Sequence, residues 1–346
     1  MESILEHPKE VLGSFLEISS NYSEQLLTID ESLGSKKRRY LGEGYKKTNY
    51  EFKDITPEDG VKNKLKIQAS VIYPDDWSLK AEGKRKDTHL STIDILVLSN
   101  RICESIFLLK NKNIEAVNST WLQKIDMKLE NQPVDQLEDI SFSIEYLGAT
   151  ALDINCSHFQ MSIGNAKADL YYSHLSPQSF FNLYEMDFYK LLKIAQIETG
   201  KPFGNLFKRR DIHINSAVLC REDSEITANI NVVQESLETI SHGVNAANLR
   251  SLNVLDLMLA GAQMSQVLIY KLDNVHRDQT KNLWARSFSA FALPCTDSMD
   301  VNAIASVPKT VVLKKGGKLF RIADCNVKIA GYPYLGIRGS FVLEKE

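Results

Sequence analysis

The sequence lacks the features that mark several large classes of protein. Cysteine is scarce, with five in 346 residues (Cys103, Cys156, Cys220, Cys295 and Cys325), an odd number without any C-x-x-C spacing. That argues against a disulfide framework and against a thiolate metal site; free thiols in a reducing cytosol, with no metal, are the expectation. Charge of one sign is lacking too. A net charge of -3 gives no pull toward nucleic acid or an anionic membrane. There is no run of 18 apolar residues, so no membrane span is expected. The opening MESILEHPKE has no basic stretch leading into an apolar one, so no secretion signal is expected either. A P-loop, a dinucleotide fingerprint, a G-x-S-x-G elbow and an HExxH motif are all missing, and with them any support for those chemistries or for a cofactor.

What is present is a repeat. At an offset of 162 residues, Gly42-Glu-Gly-Tyr45-Lys46-Lys47 falls on Gly204-Asn-Leu-Phe207-Lys208-Arg209, and Leu90-Ser-Thr-Ile-Asp94-Ile-Leu-Val on Leu252-Asn-Val-Leu-Asp256-Leu-Met-Leu. Leu65–Ile72 falls on Ile226–Val233 at 161, Trp121 on Trp284 at 163, and Gly164 on Gly331 at 167. Five matches in one order with little drift point to a duplication.

Each copy reads as strand, long helix, then four strands. Residues 64–73 and 225–234 alternate with period two. Residues 91–109 and 253–271 are apolar nearly all round and too long for strands, so they read as buried helices, with Ser91 and Asn253 as N-caps. Alternating segments follow at 121–130, 139–147, 152–163 and 167–174, and again at 284–293, 309–314, 318–330 and 335–343. A sheet curled around one central helix buries every face of it. The expected fold is therefore α+β, a double hotdog of two tandem units; two separate α+β domains are the alternative. The boundaries expected are a helical extension over 1–37, a first unit over 38–176, a helical connection over 177–201 and a second unit over 202–346.

Candidate site residues are the polar ones on these apolar frames. Asp94, Arg101 and Glu104 share one helical face, where copy two has Asp256, Gln263 and Gln266. Ser91-x-x-Asp94 and Asn253-x-x-Asp256 also fit capping boxes, and Arg101 and Glu104 can pair with each other or with copy two, so structure competes with catalysis here. His89 stands two residues before the cap where copy two has Ser251, so the fold does not require it; a histidine at a helix N-terminus stays neutral and can act as a base. An exposed loop histidine is the plain alternative. Glu43 and Tyr45, replaced by Asn205 and Phe207, sit in a glycine-rich turn and suggest that only one of two pseudo-symmetric sites works. The basic residues Lys80, Lys84, Arg85 and Lys86 precede His89; such a cluster is usually solvated, but here it could receive a phosphorylated or acidic carrier.

Gly42-Glu-Gly-Tyr-Lys, Tyr73-Pro-x-x-Trp77-Ser78 and His89-Leu-Ser-Thr-Ile-Asp94 together resemble the AvrD family, the bacterial avirulence D proteins linked to syringolide production, over roughly residues 38–345. That family is similar to the hotdog-type A-factor or γ-butyrolactone biosynthesis proteins. The resemblance implies an acyltransferase-like condensation: a β-ketoacyl group on an acyl carrier protein or CoA thioester joins a hydroxyl of a small sugar or polyol, giving the precursor of an acylated lactone signal. It carries over no catalytic residue. The assignment expected from the residues has His89 and Asp94 in catalysis and Glu43, Tyr45, Arg101 and Glu104 binding substrate. A dehydratase or thioesterase acting on acyl thioesters, and a non-enzymatic acyl- or lactone-binding module, are the rival readings.

Overall fold

A computed structural model describes residues 25–80, 83, 85–111, 113–129, 134–150, 153–164, 166–175, 182–220, 224–235, 241–280, 283–294 and 299–345. Most of the expected helical extension, residues 1–24, therefore lies outside the described residues.

Both copies fold alike. The first has strands β2 (Asn49–Pro57) and β3 (Lys64–Ile72), helix α2 (Thr92–Lys110) and the short helix α3 (Ile114–Asn118), then β4 (Trp121–Lys128), β5 (Ile140–Thr150), β6 (Asp153–Ile163) and β7 (Ala166–Ser173). The second has β8 (Arg210–Cys220), β9 (Glu225–Gln234), helix α5 (Val254–Asp273), then β10 (Leu283–Phe291), β11 (Asp300–Lys315), β12 (Lys318–Ile329) and β13 (Tyr332–Lys345). The order expected from sequence had one strand before each helix; there are two. The extra strands escaped a period-two reading because each carries a bulge that shifts the alternation. The register slips between Phe52 and Asp54 in β2, and between Asn215 and Val218 in β8. Strand β11 also starts earlier than expected. Pro308, which cannot donate to a ladder, sits in its own register shift between Ser306 and Lys309.

The strands form one antiparallel sheet in the order β1-β8-β9-β11-β12-β13-β10-β4-β7-β6-β5-β3-β2, where β1 is Gln25–Leu27. Setting β1 aside, the two halves run in the same order from edge to centre and meet where β10 pairs with β4. At that seam Asp126 faces Ser289, the residue 163 further on, so a strand meets its own repeat. Two antiparallel copies of one strand are related by a twofold, and the seam therefore lies on the pseudo-twofold axis of the molecule.

Each long helix lies in the curl of its half-sheet. Every residue from Ile93 to Phe107 of α2 is buried, and α5 is buried nearly throughout from Val254 to Tyr270. Each Leu or Ile so enclosed contributes roughly 1.5–3 kcal/mol. This is a double hotdog. Helix α4 (Phe188–Gln196) connects the halves, packing Leu191 and Ala195 against α2 and β2. The N-terminal segment crosses over instead of staying with the first unit. Strand β1 extends the second half-sheet at β8, and the short helix α1 (Ile29–Leu33) packs on α5. No helix among the described residues is long and apolar enough to cross a membrane.

Candidate functional site

Helix α2 opens on a reciprocal cap. The Ser91 hydroxyl accepts the N–H of Asp94, and the Asp94 carboxylate accepts the N–H of Ser91 at 2.8 Å. The same carboxylate then takes three phenols: Tyr40 and Tyr50 each donate at 2.8 Å, and Tyr73 donates to the other oxygen. Burial first, and the Asp94 charge second, push all three phenols well above their ordinary range, so they stay protonated. In copy two, Asp256 caps α5 in the same way but meets a cation. Arg210 grips it through Nε at 3.0 Å and Nη2 at 2.5 Å. Both aspartates are thus caps, one satisfied by hydroxyls and the other by a guanidinium.

Beside the first cap, between the two units, lies a cavity of about 190 Å³. Its polar lining includes Tyr40, Ser78, Lys86, His89 and Ser91 from the first unit, and Gln266 and Arg277 from the second. Its apolar lining includes Leu129 and Ile163 from the first unit and Met258, Trp284 and Phe341 from the second. The Trp77 loop forms part of the wall because Gly44 lets it come close: a Cβ on Gly44 would stand 2.2 Å from the Trp77 carbonyl oxygen.

His89 is half-buried between two indoles, edge-on to Trp77 at 5.9 Å and tilted against Trp284 at 4.7 Å. Its Nδ1 lies 3.3 Å from the Asp87 carbonyl, which favours a proton on Nδ1 and leaves Nε2 as an acceptor. Tyr73 shares its hydroxyl proton with the His89 carbonyl at 2.9 Å, which ties the backbone of His89 to the Asp94 cap. Burial lowers the imidazole pKa, outweighing the Asp87 hydrogen bond and the more distant Asp94 charge, so the ring is neutral at pH 7.

In copy two the corresponding place is filled. Glu104, the counterpart of Gln266, is buried and accepts from Lys201 at 3.1 Å and from the N–H of Val244 at 2.9 Å. It presses on Gly243, where a Cβ would meet the Glu104 Oε2 at 2.3 Å. Trp121, the counterpart of Trp284, is fully buried and donates to the Ala292 carbonyl at 2.8 Å.

Of the six residues singled out from sequence, only His89 lines the cavity. Asp94 reaches it through Ser91 and Tyr40. Arg101 does not pair with Glu104: it donates to Glu198 at 2.7 Å and to the Ala195 carbonyl at 2.7 and 3.1 Å. Glu104 is held by Lys201 and Val244, as above. Glu43 pairs with Lys36 at 3.3 Å near the surface. Tyr45 is buried against Phe207, with its hydroxyl donating to the Arg210 carbonyl at 3.3 Å. The glycine-rich turn is thus an internal joint, not a lining of the cavity.

The lining residues that sequence reasoning passed over had weak signals. Ser78 stood in the Trp77-Ser78 motif, Lys86 in a basic cluster and Gln266 in the polar stripe. Arg277, in a short turn after α5, had none. Among the described residues no group of three His, Cys, Asp or Glu could hold a metal ion.

Several solved structures align along most of their length at low identity. The tesB protein of Mycobacterium avium subspecies paratuberculosis is 7% identical, covering 80% of this chain and 92% of its own, with a TM-score of 0.39. The 12:0-ACP thioesterase of Umbellularia californica is 9% identical, covering 81% and 94%, with a TM-score of 0.41. The dehydratase domain of the CurJ module of curacin polyketide synthase is 13% identical, covering 86% and 97%, with a TM-score of 0.32. No curated protein matches by sequence. The family model of the Pseudomonas avirulence D protein (AvrD) matches residues 24–342, and the chain belongs to that family.

Proposed function

We propose that the protein is an acyltransferase-like enzyme that joins a β-ketoacyl thioester, on an acyl carrier protein or coenzyme A, to a hydroxyl of a small sugar or polyol. The observation that carries this reading is His89. It is a neutral imidazole with a free Nε2, held beside a helix N-terminus in a cavity of mixed polar and apolar lining. The acyl chain lies along Leu129, Ile163, Met258 and Phe341.

The thioester carbonyl points at the start of α2, where the N–H groups of Thr92 and Ile93 have no partner four residues back in the helix and both residues line the cavity. His89 Nε2 takes the proton of the acceptor hydroxyl as its oxygen bonds to the carbonyl carbon. The tetrahedral oxyanion then reforms the carbonyl, the C–S bond breaks, and the imidazolium returns the proton to the departing thiolate. Asp94 is a positioning residue, fixing Ser91, Tyr40 and, through Tyr73, the His89 backbone. The ester is the precursor of an acylated, syringolide-like lactone, made in the cytosol.

The test is to incubate the full chain with a β-ketoacyl thioester and a panel of sugars and to weigh the products. Ester is expected, with His89→Ala slower by about 100-fold or more. Free acid would mean a thioesterase, and loss of water a dehydratase. A ligand retained without turnover would mean a binding module. Equal ester from both proteins would remove His89 from the mechanism.

A further inference from the structure

The charged lining of the cavity is all of one sign. Among the described residues, Arg39, Lys86 and Arg277 line it, beside the neutral His89, and no Asp or Glu does. Two of the cations are buried, Arg39 at 3% and Arg277 at 7% exposure. Asp30 answers Arg39 from outside the lining at 2.5 Å, and Gln263 takes its other arm at 2.6 Å, yet its Nε has no hydrogen-bond partner among the described residues. Arg277 reaches across from the second unit onto neutral groups: the Leu79 carbonyl and the Ser78 hydroxyl, both at 2.8 Å, and the Arg38 carbonyl at 3.4 Å. Among the described residues, Lys86 is tied into the same loop by its backbone alone. Its N–H donates to the Ser78 carbonyl and its carbonyl accepts from the Trp77 indole, both at 3.1 Å.

These cations lie close enough to repel one another. Burial, then Arg277 and Lys80, bring the Lys86 ammonium down to about 7; Asp278 is the acidic neighbour that opposes this. Burial above all, and then Arg277, lower Arg39 against the opposing charge of Asp30. With Arg39 answered by Asp30, a positive charge on Arg277 and part of one on Lys86 remain, with Asp278 the nearby acid and the Ser78 hydroxyl held between loop and arginine. Like charges gathered in a partly dry cavity are costly unless an anion joins them.

We propose that Lys86, Arg277 and Ser78 form a binding site for one phosphoryl group carried by a substrate. A dianion with three oxygens matches two cations and a hydroxyl. The site rests on the acyl-transfer reading only for which substrate brings the phosphoryl group: a phosphorylated small acceptor, or the phosphate of a coenzyme A or carrier-borne thioester.

The experiment is calorimetric titration of the full chain with inorganic phosphate, in the absence of any thioester. Saturable one-site binding is expected. It should weaken by about tenfold or more in Lys86→Met, the loss of one charge-assisted contact, and persist in Lys86→Arg. Because no hydrogen bond among the described residues uses the Lys86 side chain, both variants should melt as cooperatively as wild type. A small sugar phosphate and coenzyme A are the two further arms. Whichever binds more tightly than phosphate, and competes with it, names the source. Absence of saturable binding by wild type, equal affinities in wild type and Lys86→Met, or acetate binding as tightly as phosphate would each overturn the site. As nothing is turned over, failure of phosphate to bind leaves the acyl-transfer reading standing, and the reverse also holds.

Discussion

Tyr45 and Phe207 stack ring on ring, with centroids 6.2 Å apart and planes 19° from parallel, and they hold the same position in the repeat, 162 residues apart. Asp126 and Ser289 do the same at the sheet seam, 163 residues apart. Two such self-pairings define the pseudo-twofold axis. On the axis, each copy must fit its twin. Away from it, the copies diverged: His89 against Ser251, Gln266 against Glu104, and an open cavity against a filled one.

The joint beside the axis sets the first prediction. Gly44→Ala drives a Cβ into the Trp77 carbonyl and should destabilise the protein by about 1–3 kcal/mol in urea unfolding. Gly42→Ala and Gly204→Ala should do likewise, since each Cβ would stand 2.2 Å from a backbone oxygen, of Lys36 and Glu198 respectively. Only Gly44→Ala should also weaken ligand binding in the cavity, because only Trp77 lines it. Equal binding by all three would separate the Trp77 loop from the site.

Asp94 and Asp256 should fail differently. Arg210→Met strands a buried carboxylate and should cost about 3–5 kcal/mol. Asp94→Ala removes a cap and orphans buried phenols, for a loss of about 3 kcal/mol. Below the unfolding transition, Arg210→Met should keep its turnover whereas Asp94→Ala should not, because only Asp94 is tied to His89. Comparison of denaturant midpoints with single-temperature rates checks both.

Glu104→Gln leaves Lys201 buried without its carboxylate and should cost about 3–5 kcal/mol. The rate per folded molecule should be unchanged. A selective rise in KM with stability intact would instead place Glu104 in substrate binding.

Burial holds the folded His89 below the ordinary histidine pKa of 6.5, so the unfolded chain takes up its proton first. Its contribution to stability is therefore complete above 6.5 and is lost as the pH falls from there toward the folded pKa. Turnover should be flat from pH 7 to 8 and fall in the same acid window, as the base becomes protonated. In His89→Gln, the melting temperature should lose this part of its acid dependence.

Lys86 makes a larger test in the opposite range. Its ammonium titrates at about 7 folded and 10.5 unfolded, so keeping it charged in the fold is unfavourable. Lys86→Met should raise the melting temperature most at pH 7 and below, and the gain should fade as the pH approaches 10.5. A gain that does not change across that range would mean that the ammonium is not strained by burial and its neighbours.

The two buried helices and their caps were legible because they are local signals, and the duplication because matched motifs recur in one order at a near-constant offset. Apolar periodicity over a full helix and a Ser or Asn three residues before Asp need no distant partner. Strands β2 and β8 were not legible, because a single bulged residue in each breaks the alternation on which the reading depends. The histidine was found because copy two dispensed with it. The polar stripe misled in part. Arg101 and Glu104 are polar and share a face with Asp94, yet they are satisfied by Glu198, Ala195, Lys201 and Val244, residues roughly a hundred positions away or more.

The sequence by itself determined the repeat and the place of His89 at a helix start, because matched motifs at a near-constant offset and a cap before an apolar helix are both written along the chain; the double hotdog was its expectation, with two separate domains as the alternative. Only the tertiary structure decided which of two equivalent sites stays open. It brought Arg277 and Trp284 of one copy against Lys86 and His89 of the other, and it filled the opposite site with Glu104, Lys201 and Val244. The physical reason is that a cavity between units is defined by what packs across the pseudo-twofold, and no periodicity along the chain records that packing.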